Sequence, residues 1–290
     1  MQSHLPYILA LITFVGWGTG DLFTIITSRK IGANLTTFWI FFFSFVLSLF
    51  VLPFAPHALS HITFTLLLLN IFLGILSIIG NVLVSEAFRI SSAPLVGIII
   101  QAFPAVVLLL SAIIFKDIIT PLQGVFITII FVGVFLCSVD IKKLLKAEKI
   151  IDKGTILALI AMVFFSLYFT FTRIPILQYG WFLPNFIATA CFPVIYFFIK
   201  AKKEKFAVPK PGIILLSAFM AGFLIRSGDF ALNWGLSIPG ASSTVAPLAG
   251  AAPVLFVIAS SFIFKDKITK QQVGGIITAL VGIVLLTVVG

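Results

Sequence analysis

Long apolar stretches, each interrupted by only a few polar residues and separated by short turns, follow one another from end to end of this 290-residue chain. A stretch of about 18 or more mostly apolar residues reads as a spanning helix, because about 20 residues at a 1.5 Å rise cross a ~30 Å hydrocarbon core. The pattern predicts ten such helices, over 5–27, 35–52, 64–88, 92–115, 120–139, 154–173, 183–199, 211–236, 241–264 and 269–289. No Lys or Arg precedes the first stretch, and it exceeds the apolar region of a signal peptide, so it reads as a retained helix.

The ten stretches form two sets of five that repeat each other. Phe115-Lys116-Asp117-Ile118-Ile119-Thr120 returns 149 positions later as Phe264-Lys265-Asp266-Lys267-Ile268-Thr269, and at the same spacing Pro104 falls on Pro253, Ser111 on Ser260 and Gly133 on Gly282. The front parts align at 148, with Gly32 on Gly180 and Gly80-Asn81 on Gly228-Asp229. The organisation read from this is a first repeat over 1–139, a basic linker over 140–153 and a second repeat over 154–290. An odd number of spans per repeat makes the second copy enter the membrane from the opposite side. Inverted repeats of this kind build many secondary transporters, whose substrate site lies near the midplane where the halves meet.

Composition agrees with a polytopic membrane protein. The chain is 61% hydrophobic and 10% charged, with a mean hydropathy of +1.24, whereas soluble domains run nearer about 25% charged. The net charge of +10 comes from short loops. Lys142, Lys143, Lys146, Lys149 and Lys153 follow the fifth span, and Lys200, Lys202, Lys203, Lys205 and Lys210 follow the seventh. Excess Lys and Arg in such loops marks the cytoplasmic face and meets anionic lipid headgroups, so the bilayer rather than nucleic acid is the expected partner. Cys137 and Cys191 lie inside predicted spans and read as small packing residues.

A charge at the centre of a spanning helix costs at least about 2.5–3.5 kcal/mol on insertion scales, so each needs a partner or a wet cavity. Asp21 lies in the first span within Gly16-Trp17-Gly18-Thr19-Gly20-Asp21. Arg226 and Asp229 lie mid-span in the eighth, three apart and on one helical face, where they can pair. A guanidinium suits a carboxylate or phosphate through its planar fork, and Asp21 suits an ammonium or a proton. Together they suit an amphoteric solute such as an amino acid, with Asp229 orienting Arg226 or carrying a proton. A self-neutralising Arg226–Asp229 pair that locks the helix is the competing reading. Asn81, Gln101, Tyr168 and Asn233 are the expected hydrogen-bond formers, and Trp17 and Trp234 are candidate cavity walls. Glu86 with Arg89 reads as an interface pair, and Arg29, Lys30 and Arg173 as interface anchors. Gly97 and Pro104 in the fourth span, and Pro247, Gly250 and Pro253 in the ninth, are candidate helix hinges.

No Gly-x-x-x-x-Gly-Lys-Ser/Thr run is present, so the chain has no ATP-hydrolysing loop of that type. His4, His57 and His61 sit outside the predicted spans' interiors without a carboxylate cluster, so no metal site and no cofactor is expected. No Gly-x-Ser-x-Gly elbow occurs either, and the chain does not read as an enzyme.

Two five-helix copies, Trp17-Gly18 early in the first span, and a Phe-Lys-Asp-x-Ile-Thr turn between the fourth and fifth helices of each copy resemble the EamA-type branch of the drug/metabolite transporter superfamily. That family usually carries Glu where Asp117 and Asp266 stand. The resemblance implies an all-helical protein with ten transmembrane helices in two inverted repeats, a central cavity, alternating access, and cargo ranging over amino acids, other metabolites, nucleotide-sugars and sugar phosphates. The edge position of the turns gives Asp117 and Asp266 a structural role, capping the helices that follow with Thr120 and Thr269. The expectation is a multi-pass plasma (inner) membrane secondary transporter exporting small polar metabolites such as amino acids, coupled to a proton or counter-solute, its oligomeric state open. A sugar-phosphate or nucleotide-sugar antiporter, and a non-transporting scaffold held to anionic lipid, are the alternatives. Loops after the odd-numbered spans hold 16 Lys and Arg against Lys116 and Arg173 on the other side, which puts both termini outside the cytoplasm, whereas the resemblance implies termini inside. On the charge count, a terminal reporter that works only in the cytoplasm is expected to stay silent; an active fusion reverses the topology.

Overall fold

A computed structural model describes residues 4–55, 62–138, 151–238, 245 and 248–289, and nearly all of these are helical. Helix α1 spans Leu5–Ile31, α2 Ala33–Val51, α3 Phe64–Ile90, α4 Ala93–Ile100, α5 Phe103–Ile114, α6 Pro121–Ser138, α7 Lys153–Tyr179, α8 Phe182–Ala190, α9 Pro193–Ala201, α10 Ile213–Ser237, α11 Ala252–Phe264 and α12 Lys270–Val289. Counting α4 with α5 and α8 with α9, nine helices among the described residues are long and apolar enough to cross a membrane, and a shorter apolar helix covers Leu248–Phe264. The protein is a multi-pass integral membrane protein. Pro247 and most of the basic linker, residues 139–150, lie outside the described residues.

The first and sixth spans run farther than their hydropathy predicts, to Ile31 and Tyr179. What ends them is glycine: Gly32 and Gly180 follow at φ +83° and +80°, a backbone region that residues with a Cβ rarely enter. Asp152 caps α7 by accepting from the Thr155 N–H at 3.0 Å. Burial disfavours its charge, but the bonds from Thr155 and Ser91 more than offset this and hold the carboxyl below its usual range.

The packing obeys a pseudo-twofold relation between the repeats. Helix α1 lies along α10, and α3, the repeat mate of α10, lies along α7, the mate of α1. Likewise α6 lies along its own mate α12, and α2 touches both α10 and its mate α8. Glycines set these crossings, as small residues do where no hydrophobic force draws helices together in lipid. A Cβ on Gly16 would stand 2.5 Å from the Leu224 carbonyl, and one on Gly133 would stand 2.4 Å from the Ala279 backbone nitrogen.

Three sequence expectations are corrected here. Gly97 is not a hinge; it lies inside α4, and a Cβ there would fall 1.9 Å from the Phe256 ring, so it is a close-approach point. The interruptions come at Gln101–Ala102 and, at the equivalent place in the repeat, at Ala251 directly after Gly250, which also packs closely, a Cβ on it falling 2.2 Å from Thr287; Pro104 and Pro253 open the helices that follow, where a missing N–H costs nothing. Asp117 and Asp266 do not cap. Thr120 and Gln123 cap α6 reciprocally, each accepting the other's backbone N–H, and Thr269 and Gln272 do the same for α12. Arg29 and Arg173 are more than interface anchors, because each is ion-paired: Arg29 to Asp266 at 2.7 Å and Arg173 to Asp117. The seventh span also breaks after Ala190, ahead of Pro193, a proline whose position carries that signal in the sequence.

Gly133→Ala is expected to cost about 1–3 kcal/mol because the obstructing atoms are backbone and cannot yield. Gly124→Ala, with nothing within 4 Å of its Cβ, serves as the neutral control; thermal unfolding in micelles measures both, and equal melting temperatures would refute the reading.

Candidate functional site

The crossing of α1 and α10 at Gly16 and Gly228 brings two polar stretches side by side. With only Gly228 beneath it, the Trp17 ring packs close against α10, and a Cβ there would stand 2.8 Å from its Cδ1. Its indole N–H reaches Oδ1 of Asp229 at 2.9 Å. The other oxygen, Oδ2, pairs with the Arg226 guanidinium at 3.0 Å, the i, i+3 pairing expected on one helix face. Arg226 is 5% exposed. Its Nη1 also donates to Oδ1 of Asn185 on α8 at 3.0 Å, and the Tyr168 hydroxyl lies 3.5 Å from the same oxygen. Asp229 and Asn185 therefore hold the guanidinium from two helices, while its buried Nε has no hydrogen-bond partner among the described residues.

These groups border a cavity of about 110 Å³ near the middle of the long helices α1, α3, α7 and α10. Trp17 and Asp21 from α1, Ser77 and Asn81 from α3, Gln101 at the α4–α5 interruption, Tyr168 and Phe169 from α7, and Arg226 and Asp229 from α10 contribute to its wall. Both repeats supply it. Asp21 has no hydrogen-bond or ion-pair partner among the described residues, although it faces this space. Asn81 donates to the Ser77 carbonyl of its own helix at 2.9 Å, and its oxygen remains for the cavity. The side-chain amide of Gln101 makes no hydrogen bond among the described residues, and Phe103 stacks on Phe169 with centroids 4.7 Å apart.

Of the residues singled out from sequence, Asp21, Trp17, Asn81, Gln101, Tyr168, Arg226 and Asp229 meet at this one cavity. Asn233 does not. It lies one helical turn past Asp229, beyond the lining. Trp234 is also elsewhere, 42% exposed and stacked on Trp181. Glu86 and Arg89 form a two-bond pair at the end of α3, away from the cavity. The sequence reading missed Asn185, 4% exposed and the second acceptor of Arg226. An amide inside an apolar run was the available signal.

Under the repeat relation the cavity has a polar arm and an apolar arm. Trp17, Asp21, Arg226 and Asp229 correspond to Phe165, Phe169, Ile78 and Asn81. Gly80 lies against Phe165 as Gly228 lies against Trp17, the same crossing made twice. Only the α1–α10 copy brings Asp or Arg side chains to the cavity wall.

Comparison with known proteins agrees with this architecture. A crystal structure described only as that of a protein superposes with a TM-score of 0.67 at 14% identity, over 98% of this chain and 97% of the other, which shows the same fold. An uncharacterised protein of Methanocaldococcus jannaschii is 28% identical over 142 residues. That match takes in 47% of this chain and 98% of the relative, so the relative is about the size of a single repeat. The EamA-like transporter family model matches twice, over residues 4–139 and again over 152–288. With both halves matched, the chain belongs to the EamA-like transporter family, a family of membrane transporters.

Proposed function

We propose that the protein is a secondary transporter that exports small metabolites bearing a protonated amine, amino acids among them, by alternating access of the midplane cavity, in the plasma (inner) membrane. The observation that carries this reading is the unequal state of the two aspartates and the arginine on the cavity. Arg226 and Asp229 neutralise each other at 3.0 Å, and Asp21 faces the same space without a partner among the described residues. A solute ammonium or a proton supplies the missing positive charge in a setting where an unpaired carboxylate is costly. Trp17, Phe41, Phe103, Phe165, Tyr168 and Phe169 surround the space, and aromatic faces favour a desolvated cation. Asn81, Gln101 and Tyr168 offer hydrogen bonds to the remainder of the solute.

The antiporter alternative fits less well. A sugar phosphate or nucleotide-sugar calls for several cations converging on the cavity, yet among the described residues Arg226 is the one Lys or Arg in the wall, and it is already paired. A scaffold without flux has no use for a partnerless carboxylate at the midplane.

Asp21→Asn is expected to abolish saturable uptake of amino acids into proteoliposomes while leaving the melting temperature within a degree or two, since Asp21 supports no bond in the fold. Undiminished uptake by that variant removes Asp21 from the site. Breaking the buried pair differs in kind: Asp229→Ala is expected to destabilise by about 3–5 kcal/mol by leaving Arg226 unpaired, and Arg226→Met with Asp229→Leu to recover most of that loss. A double variant as unstable as the single would show that the guanidinium contributes through other contacts.

A further inference from the structure

Two clamps of the same composition stand on opposite faces of the molecule. Helix α1 crosses from the terminal face, α2 returns, α3 crosses again and α4–α5 returns, so Asp117 lies on the terminal face and Arg29 on the other. On the face away from the termini, Arg29 of the first repeat pairs with Asp266 of the second at 2.7 Å and lies over the Phe264 ring, 5.0 Å from its centroid. On the terminal face, Arg173 of the second repeat pairs with Asp117 of the first and lies over Phe115 at 5.1 Å. In both turns the intervening lysine, Lys116 or Lys265, takes a positive φ, 63° and 51°, which turns the Asp toward the other repeat's Arg. Each clamp therefore joins the opening helix of one repeat to the fourth-to-fifth-helix turn of the other.

The clamps are unequally closed. Arg29 donates further to the Phe88 and Ser91 carbonyls, and Asp266 also accepts from the Ala93 N–H at 2.8 Å, tying three chain segments together. Arg29 and Asp266 are 28% and 20% exposed. Arg173 and Asp117 are 47% and 42% exposed, and hold each other without such additions among the described residues. Relative rocking of two halves hinged at a midplane site pulls one face apart as it closes the other, and each face is bridged between the repeats by one of these clamps.

We propose that Arg29–Phe264–Asp266 and Arg173–Phe115–Asp117 are the alternating gates of the transporter, and that the extra bonds of the Arg29 clamp bias it toward the state sealed on the face away from the termini. The proposal rests on alternating access, the reading above, but its test needs no transported solute. Gln101→Cys, placed in a Cys137→Ala, Cys191→Ala background, puts one thiol on the cavity wall. A membrane-impermeant methanethiosulfonate then reports from each face of oriented vesicles how readily the cavity opens there. Asp266→Asn, which keeps the side-chain volume and an acceptor for Ala93, is expected to speed labelling from the face away from the termini by about fivefold or more and to slow it from the terminal face. Asp117→Asn is expected to do the reverse by a smaller factor, and it carries the test alone if Asp266→Asn fails to fold. Unchanged rates, or both substitutions shifting labelling in the same direction, overturn the gates; loss of amino-acid uptake by the unsubstituted protein bears on the transport reading instead.

Discussion

The close crossing of α1 over α10 is the contact on which the rest of the structure depends. Helices in lipid gain nothing by hiding apolar surface from one another, so they stay together through close backbone approach and interhelical hydrogen bonds. Gly16 and Gly228 permit that approach. The Thr13 hydroxyl adds a bond to the Gly228 carbonyl at 3.2 Å, and Trp17 binds Asp229 across the same contact. An interhelical hydrogen bond in a membrane contributes roughly 0.6–2 kcal/mol, too little alone to hold a charge in hydrocarbon. The charge is tolerable because Asp229 meets both the Arg226 guanidinium and the indole, so the packing contact and the ionic site are one construction.

Duplication explains why that construction faces a cavity. The crossing is made twice, once by α1 with α10 and once by α7 with α3, and the space between the two copies belongs to neither repeat alone. If both copies carried such Asp and Arg side chains, the midplane would carry twice the charge. Phe165, Phe169 and Ile78 make the second arm apolar, leaving a polar wall opposite an aromatic one. A solute with one charged end and a less polar body matches such a space better than a multiply charged one. At the membrane faces the duplication was kept symmetric instead, and both Phe-Lys-Asp turns meet an arginine.

Much of this was legible in the sequence because hydrocarbon leaves few options. A residue such as Asp21 or Arg226 inside an apolar run must face protein or water, so noting its depth nearly placed it. The ten spans followed from hydropathy alone, and their inverted relation from the odd count per repeat. What escaped was contact between distant segments. Arg29 and Arg173 are not repeat mates; in the alignment Arg29 falls on Leu177 and Arg173 on Ile25, one helical turn away. A guanidinium is long enough for the same clamp to form from either register, so aligning the halves hid the pairing with Asp266 and Asp117. Gly97 misled for a related reason. Glycine in a helix marks a bend or a close neighbour equally well, and only the position of the Phe256 ring decides for Gly97.

The central claim, that the cavity accepts a solute with a protonated amine opposite Asp21, is tested most directly by calorimetric titration of the purified protein with matched ligands. Amino acids, the amines that lack their carboxyl group, and the acids that lack their amino group form the series. The account predicts heat of binding for amino acids, weaker binding for the amines, none for the deaminated acids, and loss of all of it in Asp21→Asn. Binding of the deaminated acids or of sugar phosphates, unaltered in Asp21→Asn, would contradict it.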